Sequence, residues 1–524
     1  MHTIIHGDCL EELKKLDDNS VDAVITDPPY GLSNTKPKQV ADVLAAWVTG
    51  DTVSVPAKRG GFMGKDWDSF VPPPAVWEEC MRVLKPGGHM AVFAGARTQD
   101  LMGLSIRLAG FEIRDTLGWI YGSGFPKSMD ISKAIDKVRR EDEEPVKAVA
   151  RALRAALDAS GKTRKEIDAH FGTANVSQYW FSPHRNSQVP PVDKWPWLRD
   201  FLGIDSSLDA EVWRLNGRKG TPGEAWEKRE VVGAKRVTGA EGSAGGFANG
   251  IASQRGLATG EREIDITVPA TSEAQRWDGW GTSLKPAIEP IILARKPLDG
   301  TVANNVLAHG VGGLNIDACR VEASDKAKFP AGVVSDTEAV YGGGGGMYAD
   351  RPRPVDRNPS GRFPANVLLD EHAAEEMDKQ SGVLKGRVGM TQHGSGTNSV
   401  YGTYERSAQS LVSDGVEDSG GASRFFPVFK YQAKAPKKER PVIVREDGSK
   451  IQHPTVKPLA LMEWLVTLIT PEGGTILDPF AGTGTTLQAA TNKGFNPIGI
   501  EADADYIQLI HRRLEGGEQS TPSS

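Results

Sequence analysis

Cysteine is scarce: Cys9, Cys80 and Cys319 are the three in 524 residues, and none sits at a Cys-x-x-Cys or Cys/His spacing. A disulfide framework is excluded, no metal site is expected, and the thiols read as those of a reducing, cytoplasmic compartment. No apolar run approaches the about eighteen residues that suggest a membrane span, and no secretory leader is evident, so no membrane association is expected. Excess positive charge is missing as well. The formal net charge is −6, which excludes a globally basic nucleic-acid coat but not binding through one locally positive face. No internal repeat is evident. What the chain has in quantity is 59 glycines and 33 prolines, concentrated away from its two ends, so its middle is expected to be rich in loops.

The ends read differently. In residues 1–125 short apolar runs alternate with helical spacing: strands at His2–His6, Val21–Thr26, His89–Ala94 and Phe111–Tyr121, and helices at Cys9–Leu16, Pro74–Leu84 and Leu101–Ala109. Lys85-Pro86-Gly87-Gly88 is expected to close the second helix. The rhythm resumes with a return strand within 284–300 and again in 451–515, with helices Leu459–Ile469, Thr485–Asn492 and Tyr506–Leu514 around strands Thr475–Leu477 and Pro497–Ile500. Alternation of this kind predicts an α/β fold with a mostly parallel sheet covered on both faces. Residues 126–283 break the pattern as an insertion, 301–450 is irregular, and 516–524 reads as a disordered tail.

Two strand ends carry the chemistry. Asp27-Pro28-Pro29-Tyr30 follows the second strand, and Asp478-Pro479-Phe480-Ala481-Gly482-Thr483-Gly484-Thr485-Thr486 follows a strand more than four hundred residues later. Asp27 and the fixed Pro28 carbonyl offer two hydrogen-bond acceptors to an amino group on a flat base, and Tyr30 offers a stacking surface. Gly482 and Gly484 allow close backbone approach of a nucleotide-like cofactor, and Glu501, ending the next strand, suits two ribose hydroxyls. Alone, the first motif is more often a proline turn, and the second more often a glycine-rich start of a helix.

Together the motifs resemble those of the amino-directed DNA methyltransferases. The order, target tetrapeptide first and cofactor turn last, matches the β-class, whose Rossmann-like sheet is circularly permuted; Leu117–Pro126, Gly281–Pro286, Gly361–Val367 and Ser423–Phe426 look like phage and prophage members. The resemblance implies S-adenosylmethionine as cofactor and double-stranded DNA as substrate, with the target base flipped out. It places Thr455 and Lys457, in His453-Pro-Thr-Val-Lys-Pro458, beside the methionine carboxylate and makes 301–450 the target-recognition region; Asp8, at the end of the first strand on the same sheet edge, is a candidate contact to the cofactor adenine. Asp rather than Ser at position 27 favours adenine N6, with cytosine N4 as the alternative. RNA or protein-glutamine methylation and a non-catalytic DNA-binding regulator are further rivals. A homodimer and a cognate restriction endonuclease are partners compatible with this class. Within the insertion, about 145–205 has the spacing of a helix-turn-helix: Val146–Leu157, then Lys162–Phe171, Gly172-Thr173 and Asn175–Phe181. Arg164, Lys165 and Gln178 there, and Lys437 and Lys438 further on, are candidate DNA contacts.

Overall fold

The computed structural model describes residues 2–33, 35–56, 68–122, 124, 128–173, 175–184, 186–237, 262–321, 361–385, 396–398, 402–404, 419–429, 441–445, 447–453 and 456–515. The chain divides into two compact units, Met1–Gly124 with Ala287–Ser524, and Phe125–Pro286.

The first unit is built on nine strands: β1 (Thr3–His6), β2 (Val21–Thr26), β3 (Leu84–Phe93), β4 (Glu112–Ile120), β5 (Ile288–Arg295), β6 (Val367–Asp370), β7 (Val428–Phe429), β8 (Thr475–Asp478) and β9 (Asn496–Glu501). Their order across the sheet is β1-β9-β8-β2-β3-β5-β4-β6-β7. The last two strands of the chain thus lie between the first two, as a circularly permuted Rossmann-like sheet requires. Only β5 runs against its neighbours; all other pairs are parallel. It follows that β1, β2, β8 and β9 end on one edge of the sheet, and the residues just beyond them are brought together there.

Burial on both faces holds this arrangement. Every residue of β2 is buried. Along β3, Met90 and Val92 face a core containing Trp77, Met102 and Ile106, while Ala91 and Phe93 face one containing Met462 and Leu465. The alternation is the two-residue period of a strand, and each large apolar side chain so enclosed contributes roughly 1.5–3 kcal/mol.

Several elements depart from the sequence expectations. The helix Pro74–Val83 ends as expected before Lys85-Pro86, but the strand starts at once, at Leu84. Pairing passes from Val21↔Leu84 to Ala23↔His89, so Lys85–Gly88 is a bulge within β3 and not a separator. Gly87 takes φ +77°, and Lys85 Nζ reaches the Asp22 carboxylate at 2.6 Å, which stabilises the excursion. The helix Pro37–Val48 was not expected, although Pro37 at its first position and buried Val43 and Trp47 are spaced for one. Within 301–450, Val367–Asp370 and Val428–Phe429 extend the main sheet, and Leu368 and Leu369 are fully buried. Surrounding Gly, Pro and Ser hid these short runs. Tyr341–Met347, the Gly-rich 239–260 and the tail lie outside the described residues.

In the second unit, helices Glu143–Ser160, Arg164–His170, Gln178–Phe181 and Trp195–Leu202 share a core of Leu153, Ile167, Trp180, Phe181, Trp195 and Leu198. The expected helix Asn175–Phe181 is shortened to its last four residues. Asp168 accepts from the Ser177 backbone N–H (2.9 Å), the Ser177 hydroxyl (2.8 Å) and Thr173 Oγ1 (3.2 Å), which ties Thr173 and Ser177 to the preceding helix. An antiparallel pair, Val231–Val237 with Arg262–Thr267, is held beside Asp136 by the buried Arg229–Asp136 ion pair.

Candidate active site

The two motifs meet through a buried hydrogen bond. Thr26 Oγ1, one residue before Asp27, donates to Asp478 Oδ1 at 2.7 Å across the β2–β8 pairing. Asp478 is 2% exposed and also accepts from the Phe480 backbone N–H at 3.1 Å. Burial pushes its carboxyl up to about 6, while bonds from Thr486, Thr26 and the Phe480 N–H favour the ion. Asp478 therefore fastens the glycine turn to the strand that presents the tetrapeptide.

With Asp27 the structure assembles three further polar side chains, those of Tyr30, Lys457 and Glu289. Asp27 Oδ1 accepts from Tyr30 Oη at 2.8 Å, and Oδ2 accepts from Lys457 Nζ at 2.7 Å. Lys457 Nζ also donates to Tyr30 Oη at 3.0 Å and lies 3.3 Å from Glu289 Oε2. Tyr30 Oη is 3.4 Å from the same Glu289 oxygen. Enclosure of the phenol, then the negative charges of Asp27 and Glu289, hold the Tyr30 hydroxyl protonated well above its usual range. For Lys457 burial works against the charge, but the two carboxylates outweigh it and keep the ammonium protonated. The backbone of the turn is pinned separately: Thr98 Oγ1 donates to the Tyr30 carbonyl at 2.6 Å, and Gly31, at φ +67°, donates its N–H to Asp68 Oδ1 at 2.9 Å. Pro28 is buried and Pro29 half-buried.

Glu289 is a residue sequence reasoning missed. Its signal was a lone carboxylate in the apolar run Ile288-Glu-Pro-Ile-Ile-Leu-Ala-Arg295, at the start of β5. Lys457 also sits in a place the sequence did not indicate. It is set against the tetrapeptide, among two acids and a phenol.

The glycine turn has the backbone conformation its residues suggested. Gly482 and Gly484 take φ +53° and +75°, and a Cβ at Gly484 would lie 3.0 Å from Ile510 Cγ2. Gly482 N–H donates to Glu501 Oε2 and Asp503 N–H to Oε1, both at 2.8 Å. Burial raises the Glu501 carboxyl to about 7 against those two bonds. Pro479, Ala481, Thr483, Thr485 and Thr486 are buried, and Phe480 is half-buried at 6.4 Å from the Trp77 ring. Arg513 donates to the Thr483 carbonyl at 2.7 Å and to its hydroxyl at 3.2 Å, so the last helix braces the turn. Asp8 caps the helix Cys9–Leu13, its Oδ1 accepting from Leu10 N–H at 3.0 Å and Glu11 N–H at 3.4 Å. Thr455, Lys437 and Lys438 lie outside the described residues. In the second unit, Arg164 and Lys165 are exposed in the first turn of Arg164–His170 and Gln178 is exposed, whereas Trp180, expected beside Gln178 on the second helix, fills the core at 2% exposure.

A permuted, mostly parallel sheet with an Asp-Pro-Pro-Tyr strand end fastened to a glycine turn defines the amino-methyltransferase class. The family model described as DNA methylase matches residues 21–213 and 282–512, and the chain belongs to that family. Over 69 residues it is 42% identical to the Type II methyltransferase M2.DpnII of Streptococcus pneumoniae, covering 13% of this chain and 26% of that protein. Over 63 residues it is 43% identical to the DNA adenine methyltransferase YhdJ of Escherichia coli (strain K12), covering 12% and 21%. The chain thus matches about a quarter of the length of these relatives. A crystal structure of TTHA0409, described as a DNA modification methylase from Thermus thermophilus, aligns over 99% of this chain and 97% of its own at 14% identity and a TM-score of 0.32. Among the described residues no helix is long and apolar enough to cross a membrane.

Proposed function

We propose that this protein transfers a methyl group from S-adenosylmethionine to the N6 amino group of adenine at specific sites in double-stranded DNA. The observation that carries the reading is the 2.7 Å bond between Thr26 and Asp478, because it puts the base-holding tetrapeptide and the cofactor turn on adjacent strands of one sheet edge. The residues fit the cofactor. Gly482 and Gly484 present backbone without side chains, and each Glu501 oxygen, already accepting one N–H, keeps a second lone pair for a ribose hydroxyl. Bound there, the cofactor supplies an electrophilic methyl carbon.

The chain's own residues do the rest. The exocyclic nitrogen is a weak nucleophile because its lone pair is delocalised into the ring. An N–H bond donated to Asp27 draws that nitrogen towards tetrahedral geometry as its lone pair forms the bond to the methyl carbon and the carbon–sulfur bond breaks, its electron pair staying on sulfur. Asp27 is also the acceptor placed to take the proton the nitrogen sheds afterwards. Tyr30 offers the flipped base a ring in return for the stacking it leaves. Arg164, Lys165 and Gln178, with Lys437 and Lys438, are the proposed DNA contacts. Asp8, Thr455, Phe480 and the buried Thr483–Thr486 are assigned to the cofactor side. A cognate endonuclease and a homodimer extend the same reading.

The test is long-read methylation sequencing of a bacterial host expressing the chain. N6-methyladenine is expected at one sequence motif, and an Asp27→Ala protein should lose about a hundredfold or more in transfer while still binding the cofactor. Methylation that persists in the variant, or its absence from DNA in both strains, refutes the assignment.

A further inference from the structure

We propose that Lys457 is a specificity residue that donates a hydrogen bond to the ring nitrogen beside the target amine, so that Asp27 and Lys457 together read an amino group next to a bare ring nitrogen. The inference rests on the methyl-transfer reading, and it assigns Lys457 to the base instead of to the cofactor carboxylate.

The geometry is an acceptor and a donor side by side, Asp27 Oδ2 and Lys457 Nζ, 2.7 Å apart. Adenine and cytosine each show, on the pairing edge, an amino N–H beside an unprotonated ring nitrogen. That donor–acceptor pattern is the complement of Asp27 and Lys457. Guanine and thymine show a carbonyl beside a ring N–H, which would set oxygen against carboxylate and N–H against ammonium. Each Asp27 oxygen accepts one bond, from Tyr30 or from Lys457, and keeps a lone pair for the incoming amine.

Lys457 is built to stay put and stay charged. Its side chain is 11% exposed, and its ammonium lies 4.9 Å from the Phe93 ring centroid and 5.3 Å from that of Tyr30. Its three N–H groups face Asp27, Tyr30 Oη and Glu289. A cofactor carboxylate at this point would add a third negative charge beside Asp27 and Glu289. A ring nitrogen asks for less: it replaces the longest contact, the 3.3 Å one to Glu289. Glu289 acts through Lys457 as a positioning residue, balancing the ammonium before the base arrives. An ammonium donates and cannot accept, which suits a lone pair and rejects a ring N–H.

The experiment uses the full chain and a duplex carrying its methylation motif with either adenine or 1-deazaadenine at the target; the analogue keeps the amine and replaces the neighbouring ring nitrogen by C–H. Binding is measured with S-adenosylhomocysteine present, and transfer with S-adenosylmethionine. The native protein is expected to disfavour the analogue about tenfold to a hundredfold in both. Lys457→Met should bind both duplexes equally, and Lys457→Gln, whose amide keeps a donor, should restore part of the preference. S-adenosylmethionine affinity should stay within about threefold in both variants. Equal treatment of the two duplexes by the native protein overturns the inference without recourse to any variant. A tenfold loss of cofactor affinity in Lys457→Met with the preference intact overturns it too. Failure of the native protein to methylate the adenine duplex at all would instead bring down the proposed function, and this inference with it.

Discussion

Glu501 is expected to set the pH at which the cofactor is held. Burial raises its carboxyl from 4.5 to about 7, while the N–H groups of Asp503 and Gly482 favour the ion. Between those values the native chain keeps a proton that the unfolded chain has released. This group therefore favours the fold as pH falls through the window and opposes it as pH rises, by about 3 kcal/mol over 2.5 pH units at roughly 1.4 kcal/mol each. Cofactor binding runs the other way, since ribose hydroxyls donate to the ionised carboxylate. One unit below the midpoint about one carboxyl in eleven is ionised, so affinity at pH 6 should be about a tenth of that at pH 8.5. Calorimetric titration with S-adenosylmethionine from pH 5.5 to 8.5 measures this, with circular dichroism confirming the fold at each point. Glu501→Gln should bind weakly throughout and lack the step centred near 7. A flat native profile, or a step that survives in Glu501→Gln, refutes the reasoning.

Two further substitutions probe the neighbouring contacts. Thr26→Val removes the donor to Asp478 and leaves a buried carboxylate with one partner fewer. It should cost about 1–3 kcal/mol in urea denaturation at pH 8 and less at pH 5, where more of the carboxyl is neutral; an equal cost at both would contradict it. Gly484→Ala places a Cβ 3.0 Å from Ile510 at a positive φ, so about 1–3 kcal/mol of stability should be lost together with cofactor affinity, and unchanged melting would count against the strain.

The sheet was legible where strands are uniformly apolar. β5 lies where its run predicts it, because burial on both faces leaves Pro290–Ala294 unbroken by polar residues, and the helices Leu459–Ile469 and Thr485–Asn492 lie where the sequence predicts them. Composition misled where short apolar runs sit in Gly- and Pro-rich surroundings, as at Val367–Asp370. It also misled where a strand tolerates a bulge, as at Lys85–Gly88. In the site, the acidic strand ends could be read because each closes a strand. The side-chain partners could not: Glu289 and Lys457 lie 262 and 430 residues beyond Asp27 along the chain, and only the folded register brings them within 2.7 to 3.4 Å of the Asp27–Tyr30 pair. Asp8 has in addition a local role its position alone did not indicate, as the cap of the helix Cys9–Leu13.

The one strand of the main sheet that runs against its neighbours, β5, bears on how the chain is partitioned. Ile120 and Ile288 are paired neighbours, and Tyr121 N–H donates to the Ala287 carbonyl at 3.1 Å, so more than 160 residues leave and rejoin at one point, as the loop of a hairpin. Closure entropy grows only slowly with length, about 0.6 kcal/mol per doubling, and the strand pair registers little beyond the adjacency of its two ends. The interposed segment is thus a graft: it can be lengthened, trimmed or exchanged while Asp27, Asp478 and Glu501 keep their places.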